Sequence, residues 1–185
     1  RGLGDVYKRQ DYEGVLEHCE THDVRACKYI DEIDPAQADQ HGQGDDRVLA
    51  AVPMSPGIWY AFGADGSGLT SLTDVMVLGG DRDQVLDYDD EIFPVYDNLG
   101  SPRTLATFLD AGHYAFSDIC SIIPLFDDCD GIEGGWIDFD RAHLITQTIV
   151  TAYFGVHVAG DERYGEWLEG EVLEEFGELE WVVEE

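Results

Sequence analysis

Four short runs of apolar residues have the length and composition of β-strands. Residues 47–54 and 75–78 are nearly continuous in apolar character, residues 103–109 combine apolar residues with two threonines, and residues 178–183 alternate more weakly near the end of the chain. Continuous apolar runs are typical of strands that are buried on both faces of a sheet. The pattern therefore predicts three buried strands and one strand at a sheet edge.

Helical periodicity separates these runs. Residues 11–20 and 34–40 have sparse apolar positions and predict short surface helices, and a turn is expected at 42–46. Residues 88–99 carry an apolar face, with acidic residues in the first turn, where the helix dipole favours them. That face consists of Ile92, Val95, Tyr96 and Leu99.

The longest predicted helix covers residues 140–158, and either Asp138 or Asp140 can cap it. One broad apolar stripe runs along it, made of Leu144, Ile145, Thr148, Ile149, Ala152, Tyr153 and Val156. A shorter amphipathic helix is predicted after Asp161. These helices complete an order of strand, loop, strand, helix, strand and helices.

A strand-helix-strand unit with apolar strands indicates a parallel sheet, because the crossover helix returns the chain to the same edge. The predicted class is therefore α/β. In such sheets the loops that leave the carboxyl ends of the strands gather at one edge, where ligands bind. We expect the chemistry of the protein in those loops.

Composition narrows the classes of function. The 185 residues include 40 Asp and Glu against 10 Lys and Arg, giving a formal net charge of −30. A nucleic-acid partner is excluded because phosphate contacts need clustered cations. No run reaches the roughly 20 apolar residues of a membrane span. The acidity, with only two lysines, is typical of adaptation to a salty medium or of a low-pI secreted protein.

Residues 1–10 do not share this acidic style, since they hold three of the ten cations. We interpret them as a leader foreign to the protein, similar to a translated assembly scar. We therefore expect the natural sequence to begin at about residue 11 and exclude residues 1–10 from the interpretation of the fold.

The four cysteines form two local pairs, Cys19 with Cys27 and Cys120 with Cys129. Two disulfides in an acidic, lysine-poor chain predict an oxidising, extracytoplasmic location. A competing interpretation makes His18, Cys19, His22 and Cys27 zinc ligands, although their spacing matches no zinc module well. The acidic runs at 127–130 and 174–175 lack the pattern of a calcium loop and fit solvated charge.

Two polar loops follow neighbouring predicted strands at the ligand-binding edge. The first holds Asp81 and Asp83, and the second runs from Asp110 to His113. A carboxylate that holds one ring nitrogen of a histidine makes the other nitrogen a competent base. The alternative is that His113 is a turn histidine and the acids are solvated loop charges.

These loops and their surroundings resemble the last part of an α/β-hydrolase. Residues 75–84 and 104–113 carry the likeness, which is narrowest to dienelactone hydrolases and platelet-activating-factor-acetylhydrolase-like esterases. Residues 45–57 with 62–63 are similar to the sixth strand and pocket loop of that family, and 136–143 to the start of its last helix. The resemblance covers almost all of 11–185 and implies strands six to eight with flanking helices.

In that family a Gly-Gly-x-x-Asp pattern supplies the acid, which corresponds to Asp83, and the base corresponds to His113. Asp81 competes with Asp83 for the role of acid. Neither Ser55 nor Ser67 lies in the Gly-x-Ser-x-Gly turn that the nucleophile needs, and Pro56 has no N–H to donate. The resemblance therefore implies a fragment that begins after the nucleophile and is inactive by itself.

The expected function is that of a serine-type ester hydrolase acting on a small ester, with no metal or organic cofactor. Trp59, Tyr60 and Phe62 are expected either to line its pocket near His113 or to pack in the core. The alternative function is a non-catalytic hydrolase-fold protein that binds ligands and never had a nucleophile.

Overall fold

The computed structural model describes residues 12–22, 27–28, 47–123 and 125–185. The predicted leader at 1–10, the helix at 34–40 and the turn at 42–46 lie outside the described residues.

The chain forms a mixed α/β structure around a three-stranded sheet. Strand β1 spans Val75–Gly80, β2 spans Arg103–Phe108 and β3 spans Leu179–Glu184, in the spatial order β1-β2-β3. Strands β1 and β2 are parallel, and β3 pairs antiparallel with β2 at the edge. The predicted α/β class and the parallel pair are confirmed.

The first predicted strand, 47–54, is only partly formed. It runs parallel to β1 but bridges it at two positions, Ala51 with Val75 and Met54 with Leu78. Pro53 accepts a hydrogen bond from the backbone N–H of Leu78 at 3.0 Å, but it has no N–H to return to the ladder. This residue interrupts the regular pairing that the apolar run predicts.

The described residues form five α-helices: α1 Tyr12–Thr21, α2 Phe93–Asp97, α3 Ile119–Ile122, α4 Phe139–His157 and α5 Gly170–Glu174. A π-helical turn at Tyr88–Ile92 precedes α2. Shorter 3₁₀ turns occur at Trp59–Phe62, Ser67–Leu69, His113–Phe116, Asp127–Gly134 and Glu162–Trp167.

The predicted helix 88–99 is therefore a π-helical turn followed by a short α-helix. Pro94 explains the change of winding, because it lacks the N–H that would bond the carbonyl four residues earlier. That carbonyl belongs to Asp90, and it accepts a hydrogen bond from the Trp59 indole at 2.9 Å instead. The side chain of Asp87 caps the turn through the N–H groups of Asp89 and Asp90.

Helix α4 is confirmed as the longest helix of the described ranges. Asp138, one of the two predicted caps, accepts a hydrogen bond from the backbone N–H of Arg141 at 2.9 Å. The buried stripe is rotated from the predicted one, since Leu144 is 53% exposed whereas Ala142 and Thr146 are buried. The stripe is thus centred on Ile145 and Ile149.

Apolar side chains of the sheet pack on both of its faces. Met76 and Leu78 of β1 share one core cluster with Ile145 of α4. Val77, on the opposite face, shares a second cluster with Val95 of α2. Alternate residues of a strand point to opposite faces, so these two clusters place a helix on each side of the sheet. All six residues of β1 are buried as a result.

Both predicted disulfides are present, Cys19–Cys27 and Cys120–Cys129. The zinc interpretation is wrong for this reason, because Cys19 and Cys27 are bonded to each other. Within the described ranges, no group of His, Cys, Asp or Glu side chains could hold a metal ion. A search of the same ranges finds no helix with both the length and the apolar character needed to cross a membrane.

Candidate active site

The loops that follow β1 and β2 leave the sheet side by side, because Gly80 is the register partner of Phe108. The N–H of Asp81 donates to the Phe108 carbonyl and that of Arg82 to the Ala111 carbonyl, both at 3.0 Å. A Cβ atom at position 80 would lie 2.3 Å from the Ala111 oxygen. Only glycine at this position allows the two loops to approach so closely.

This approach brings Asp83 and His113 together. Oδ2 of Asp83 lies 2.9 Å from Nδ1 of His113, across 30 positions of the sequence. The Asp83 side chain is fully buried, whereas the His113 side chain is 25% exposed. The acid thus lies inside the protein and the imidazole faces outwards from it.

The other oxygen of Asp83 is held by its own loop. Oδ1 accepts hydrogen bonds from the backbone N–H groups of Val85 and Leu86, each at 2.8 Å. Burial raises the pKa of Asp83, but the hydrogen bonds from His113, Leu86 and Val85 together outweigh it and hold this pKa below its ordinary value. Asp83 is therefore ionised at neutral pH.

An ionised carboxylate only accepts hydrogen bonds, so Nδ1 of His113 carries the proton in this pair. The other ring nitrogen, Nε2, then has a free lone pair in the neutral imidazole. This arrangement fixes both the tautomer and the orientation of the ring. It is the arrangement that a general base needs.

Asp81, the competing acid, is placed differently. The residue is exposed, and its Oδ1 accepts a hydrogen bond from the Ala111 N–H at 3.3 Å. Partial burial raises the pKa of Asp81, against the opposing effect of that hydrogen bond. The residue that contacts His113 is Asp83.

Asp128 forms a hydrogen bond with the loop that carries His113, a contact that the sequence did not indicate. Oδ2 of Asp128 accepts a hydrogen bond from the backbone N–H of Tyr114 at 3.0 Å. A Cβ atom at Gly112 would lie 2.3 Å from the same oxygen. The neighbouring residue, Cys129, forms a disulfide with Cys120. Because Asp128 accepts this hydrogen bond, the expectation that it is merely solvated charge is wrong. The bond could not be predicted, since Tyr114 lies 14 positions away and no local sequence pattern connects the two residues.

The aromatic residues Trp59, Tyr60 and Phe62 pack beside the π-helical turn. Tyr60 is fully buried, and its hydroxyl donates to Oε1 of Glu91 at 3.4 Å. Oε2 of Glu91 accepts from the backbone N–H of Ile58 at 2.7 Å. Burial raises the pKa of Glu91, and these two hydrogen bonds only partly oppose it. Trp59 and Phe62 pack against the core cluster on the α2 face.

A cavity of about 480 Å³ opens beside His113, and Trp59, Tyr60 and Phe62 do not line it. Its walls are formed by Met54, Ser55, His113, Tyr114, Phe116, Ser117, Asp118, Ile119 and Ile122. The aromatic cluster is absent from this lining. The described contacts pack Trp59, Tyr60 and Phe62 in the core, and their lining of a substrate pocket stays a prediction.

Ser55 is a residue of this cavity that sequence reasoning considered only as a nucleophile. It follows the extended segment beside β1, and its N–H donates to the Leu78 carbonyl at 2.8 Å. Its backbone adopts a left-handed φ of 43°, which is uncommon for a residue with a side chain. The side chain is buried, with 7% of the residue exposed, and its Oγ has no hydrogen-bond partner within the described residues.

The site thus combines an ionised buried acid, an oriented imidazole and a cavity that both His113 and Ser55 line. Such a group can accept a proton from a nucleophile and return it to a leaving group. It has no ligand set for a metal ion in the described residues. Searches against known protein families and against curated proteins find nothing that matches this chain.

Proposed function

We propose that the protein is the acid–base part of a serine-type ester hydrolase with the α/β-hydrolase fold. Asp83 is its acid and His113 its base. The observation that supports this most strongly is the 2.9 Å contact between a fully buried carboxylate and a partly exposed imidazole. The parallel pair of strands also supports it, because both residues follow the carboxyl ends of β1 and β2.

In this proposal the nucleophile is a serine that precedes Asp83 and His113 in chain order, as the hydrolase resemblance implies. Ser67 is exposed on a 3₁₀ turn and does not line the cavity beside His113. Ser55 lines the cavity, but Pro56 after it cannot donate an N–H to an oxyanion. Residues 1–46 contain no serine, so the proposal assigns the nucleophile and the oxyanion donors to a part of the natural protein that precedes these 185 residues.

The reaction proceeds in two stages. The serine Oγ attacks the ester carbonyl carbon while its proton moves to Nε2 of His113. The carbon–oxygen bond of the ester then breaks, and the alcohol leaves with that proton. Water next attacks the acyl-serine, again giving a proton to Nε2, and the acid is released as the serine recovers the proton. Asp83 stabilises the imidazolium that forms in each stage.

The test uses the protein produced from its complete reading frame and assayed with p-nitrophenyl acetate. Asp83→Asn and His113→Gln are expected to reduce kcat by roughly 10³ to 10⁴, as in other triads. Asp81→Asn is the matched control, because it removes the same charge two residues from the acid and should retain activity within a few-fold.

Hydrolysis that survives both Asp83→Asn and His113→Gln would contradict the proposal. So would a protein that binds esters without hydrolysing them and is not labelled by a fluorophosphonate on any serine. The second result is the one expected of a non-catalytic binding protein.

We also propose that the protein functions outside the cytoplasm. The two disulfides support this, because such bonds persist in oxidising compartments. Mass spectrometry after export from an oxidising host should find Cys19, Cys27, Cys120 and Cys129 without free thiols. Four free thiols in that material would remove this part of the proposal.

A further inference from the structure

Two short segments beside His113 have no core of their own. Helix α3 and the 3₁₀ turn Asp127–Gly134 are described in full, and neither contains a buried residue. Segments with few buried apolar contacts open at a low cost in free energy, because little packing is lost when they leave the rest of the fold. Specific bonds therefore set the positions of these two segments.

The Cys120–Cys129 disulfide is the covalent bond that joins them. The N–H of Cys129 donates to the carbonyl of Phe126 at 2.9 Å, which closes a tight turn that also contains Asp128. We call residues 126–129 the strap. Because Cys129 belongs to the strap and Cys120 to helix α3, the disulfide fixes the strap to that helix.

The strap contacts the loop of His113 at two points. The Asp128 carboxylate accepts a hydrogen bond from the backbone N–H of Tyr114 at 3.0 Å. This N–H lies in the first turn of the 3₁₀ segment His113–Phe116, where a donor has no partner within the segment. The Phe126 ring packs on the Tyr114 ring with centroids 4.2 Å apart. The Tyr114 ring in turn meets the His113 ring edge-on, with centroids 5.2 Å apart. The strap thus restrains both the backbone and the ring next to His113.

These contacts act on the less constrained member of the acid–base pair. The Asp83 side chain is fully buried, and two backbone N–H groups of its own loop hold its Oδ1. The His113 side chain is 25% exposed, and its 2.9 Å contact with Asp83 persists only while its loop stays in place. The position of the His113 loop therefore decides whether the imidazole stays oriented.

We propose that Asp128 is a positioning residue for His113, and that the Cys120–Cys129 disulfide regulates the candidate site by holding Asp128 on the His113 loop. The acid–base pair is then fully assembled only after the two thiols are oxidised. A disulfide-containing oxidant carries out this step. One thiolate attacks the oxidant, the second thiolate breaks the mixed disulfide, and the oxidant leaves as a dithiol that has taken up two electrons and two protons.

For hydrolysis, the inference rests on the function proposed above and means that the enzyme gains its full activity outside the cytoplasm. The position of His113 can be measured without any substrate. The readout is the proton on its Nδ1, observed by NMR in isotopically labelled protein produced from the complete reading frame. The exchange of this proton with water reports how often the imidazole leaves Asp83.

Three variants test the positioning role. Asp128→Ala should raise the exchange rate of the His113 proton about tenfold or more, the effect of one charge-assisted hydrogen bond. The accompanying loss of p-nitrophenyl acetate hydrolysis should fall on kcat and leave KM unchanged, because Asp128 does not line the cavity beside His113. Asp128→Asn keeps an oxygen acceptor for the Tyr114 N–H and should restore most of the wild-type behaviour. Asp127→Ala is the matched control, because it removes the same charge at the neighbouring exposed position.

Two double variants test the disulfide. Cys120→Ser with Cys129→Ser removes it. The control, Cys19→Ser with Cys27→Ser, removes the other disulfide, which spans eight positions instead of nine. Both should lower the melting temperature by a similar amount, because the closed loops have nearly the same length. Only the first should raise the exchange rate, again about tenfold or more. Helix α1, which carries the control disulfide, packs on the 3₁₀ turn Trp59–Phe62, outside the lining of the cavity.

Equal exchange rates in Asp128→Ala and Asp127→Ala would overturn the positioning role of Asp128. Equal rates in the two double variants would overturn the regulation, since both disulfides would then act only as general stabilisers. These results are separate from the test of hydrolysis. A protein that shows the expected exchange rates but hydrolyses no ester refutes the proposed function alone. An active esterase whose exchange rate is unaffected by Asp128→Ala refutes this inference alone.

Discussion

Replacement of Asp83 by asparagine is the most informative single change in the protein. An asparagine side chain has nearly the same shape, and its Oδ1 can still accept the N–H groups of Val85 and Leu86. Those two donors also determine how the amide turns, because an NH₂ group facing them would have no acceptor. The amide nitrogen of the new side chain must then face Nδ1 of His113 and donate to it. The proton of His113 is thereby moved to Nε2.

The cost to stability follows from the bonds that change. All three hydrogen bonds to the carboxylate lose their charge assistance, but the substitution also removes a buried charge. We therefore expect a net loss of about 1–2 kcal/mol in the free energy of unfolding at pH 7. Asp83→Ala leaves the donors of Val85, Leu86 and His113 without an acceptor and should cost about 3 kcal/mol or more.

The pH dependence has a definite sign. The pKa of Asp83 is lower in the folded protein than in the unfolded chain, where it is about 3.9. The stability that Asp83 contributes is therefore fully present above about pH 4 to 5 and is lost as the pH falls through the folded pKa. The difference between the wild-type protein and Asp83→Asn should shrink below about pH 4.

Two measurements check this reasoning. Urea unfolding between about pH 3 and 8 gives the stability difference, and the ¹⁵N shifts of the His113 ring report which nitrogen carries the proton. Asp81→Asn should keep the proton on Nδ1 and change stability by less than about 0.5 kcal/mol, as expected at an exposed position. An unchanged tautomer in Asp83→Asn, or an equal effect of Asp81→Asn, would refute the assignment of Asp83 as the residue that orients His113.

Three further predictions concern the rest of the fold. Gly80→Ala should destabilise the protein by about 3 kcal/mol or more, measured by chemical denaturation, because the new Cβ would lie 2.3 Å from the backbone oxygen of Ala111. Gly165→Ala is the control and should be neutral, because no atom lies within 4 Å of a Cβ built there. Equal stabilities of the two variants would contradict this prediction. The folded pKa of Glu91 is raised, so its charged form costs stability as the pH rises through that pKa, and Glu91→Gln should be relatively more stable at about pH 8 than at about pH 4; a difference independent of pH would count against it. Because the net charge is −30, raising NaCl from about 0.1 to 1 M should increase the melting temperature by several degrees, and no increase would show that surface repulsion does not limit stability.

Features that repeat along the chain could be predicted from the sequence. The apolar runs at 75–78 and 103–109 correspond to β1 and β2, and the periodic stripe at 140–158 corresponds to α4. Each of these elements follows from a periodicity that the whole segment maintains. The two disulfides were also within reach, because each joins cysteines eight or nine positions apart.

Features that depend on one distant partner could not be predicted. Two hydrogen bonds are examples: Asp128 accepts one from the backbone N–H of Tyr114, and the Asp90 carbonyl accepts one from the Trp59 indole. Each joins two segments that no local sequence pattern connects. The buried hydroxyl of Ser55 belongs to the same class, because its isolation results from what surrounds it in space. The choice between Asp81 and Asp83 as the acid was open for a related reason. The two are the same residue type in the same loop, and only the three-dimensional path of that loop shows that Asp83 contacts His113.

A second Asp–His pair shows that contact alone does not make such a pair a candidate for chemistry. Oδ1 of Asp74 lies 3.2 Å from Nδ1 of His157, at the amino end of β1, and joins the end of α4 to the sheet. Its carboxylate is 38% exposed, so water competes for it and the histidine is only weakly constrained. Asp83, in contrast, has no exposed side-chain surface, and both of its oxygens are engaged. Burial and the position at the carboxyl ends of parallel strands, more than the contact distance, separate an acid that orients a base from one that stabilises a fold.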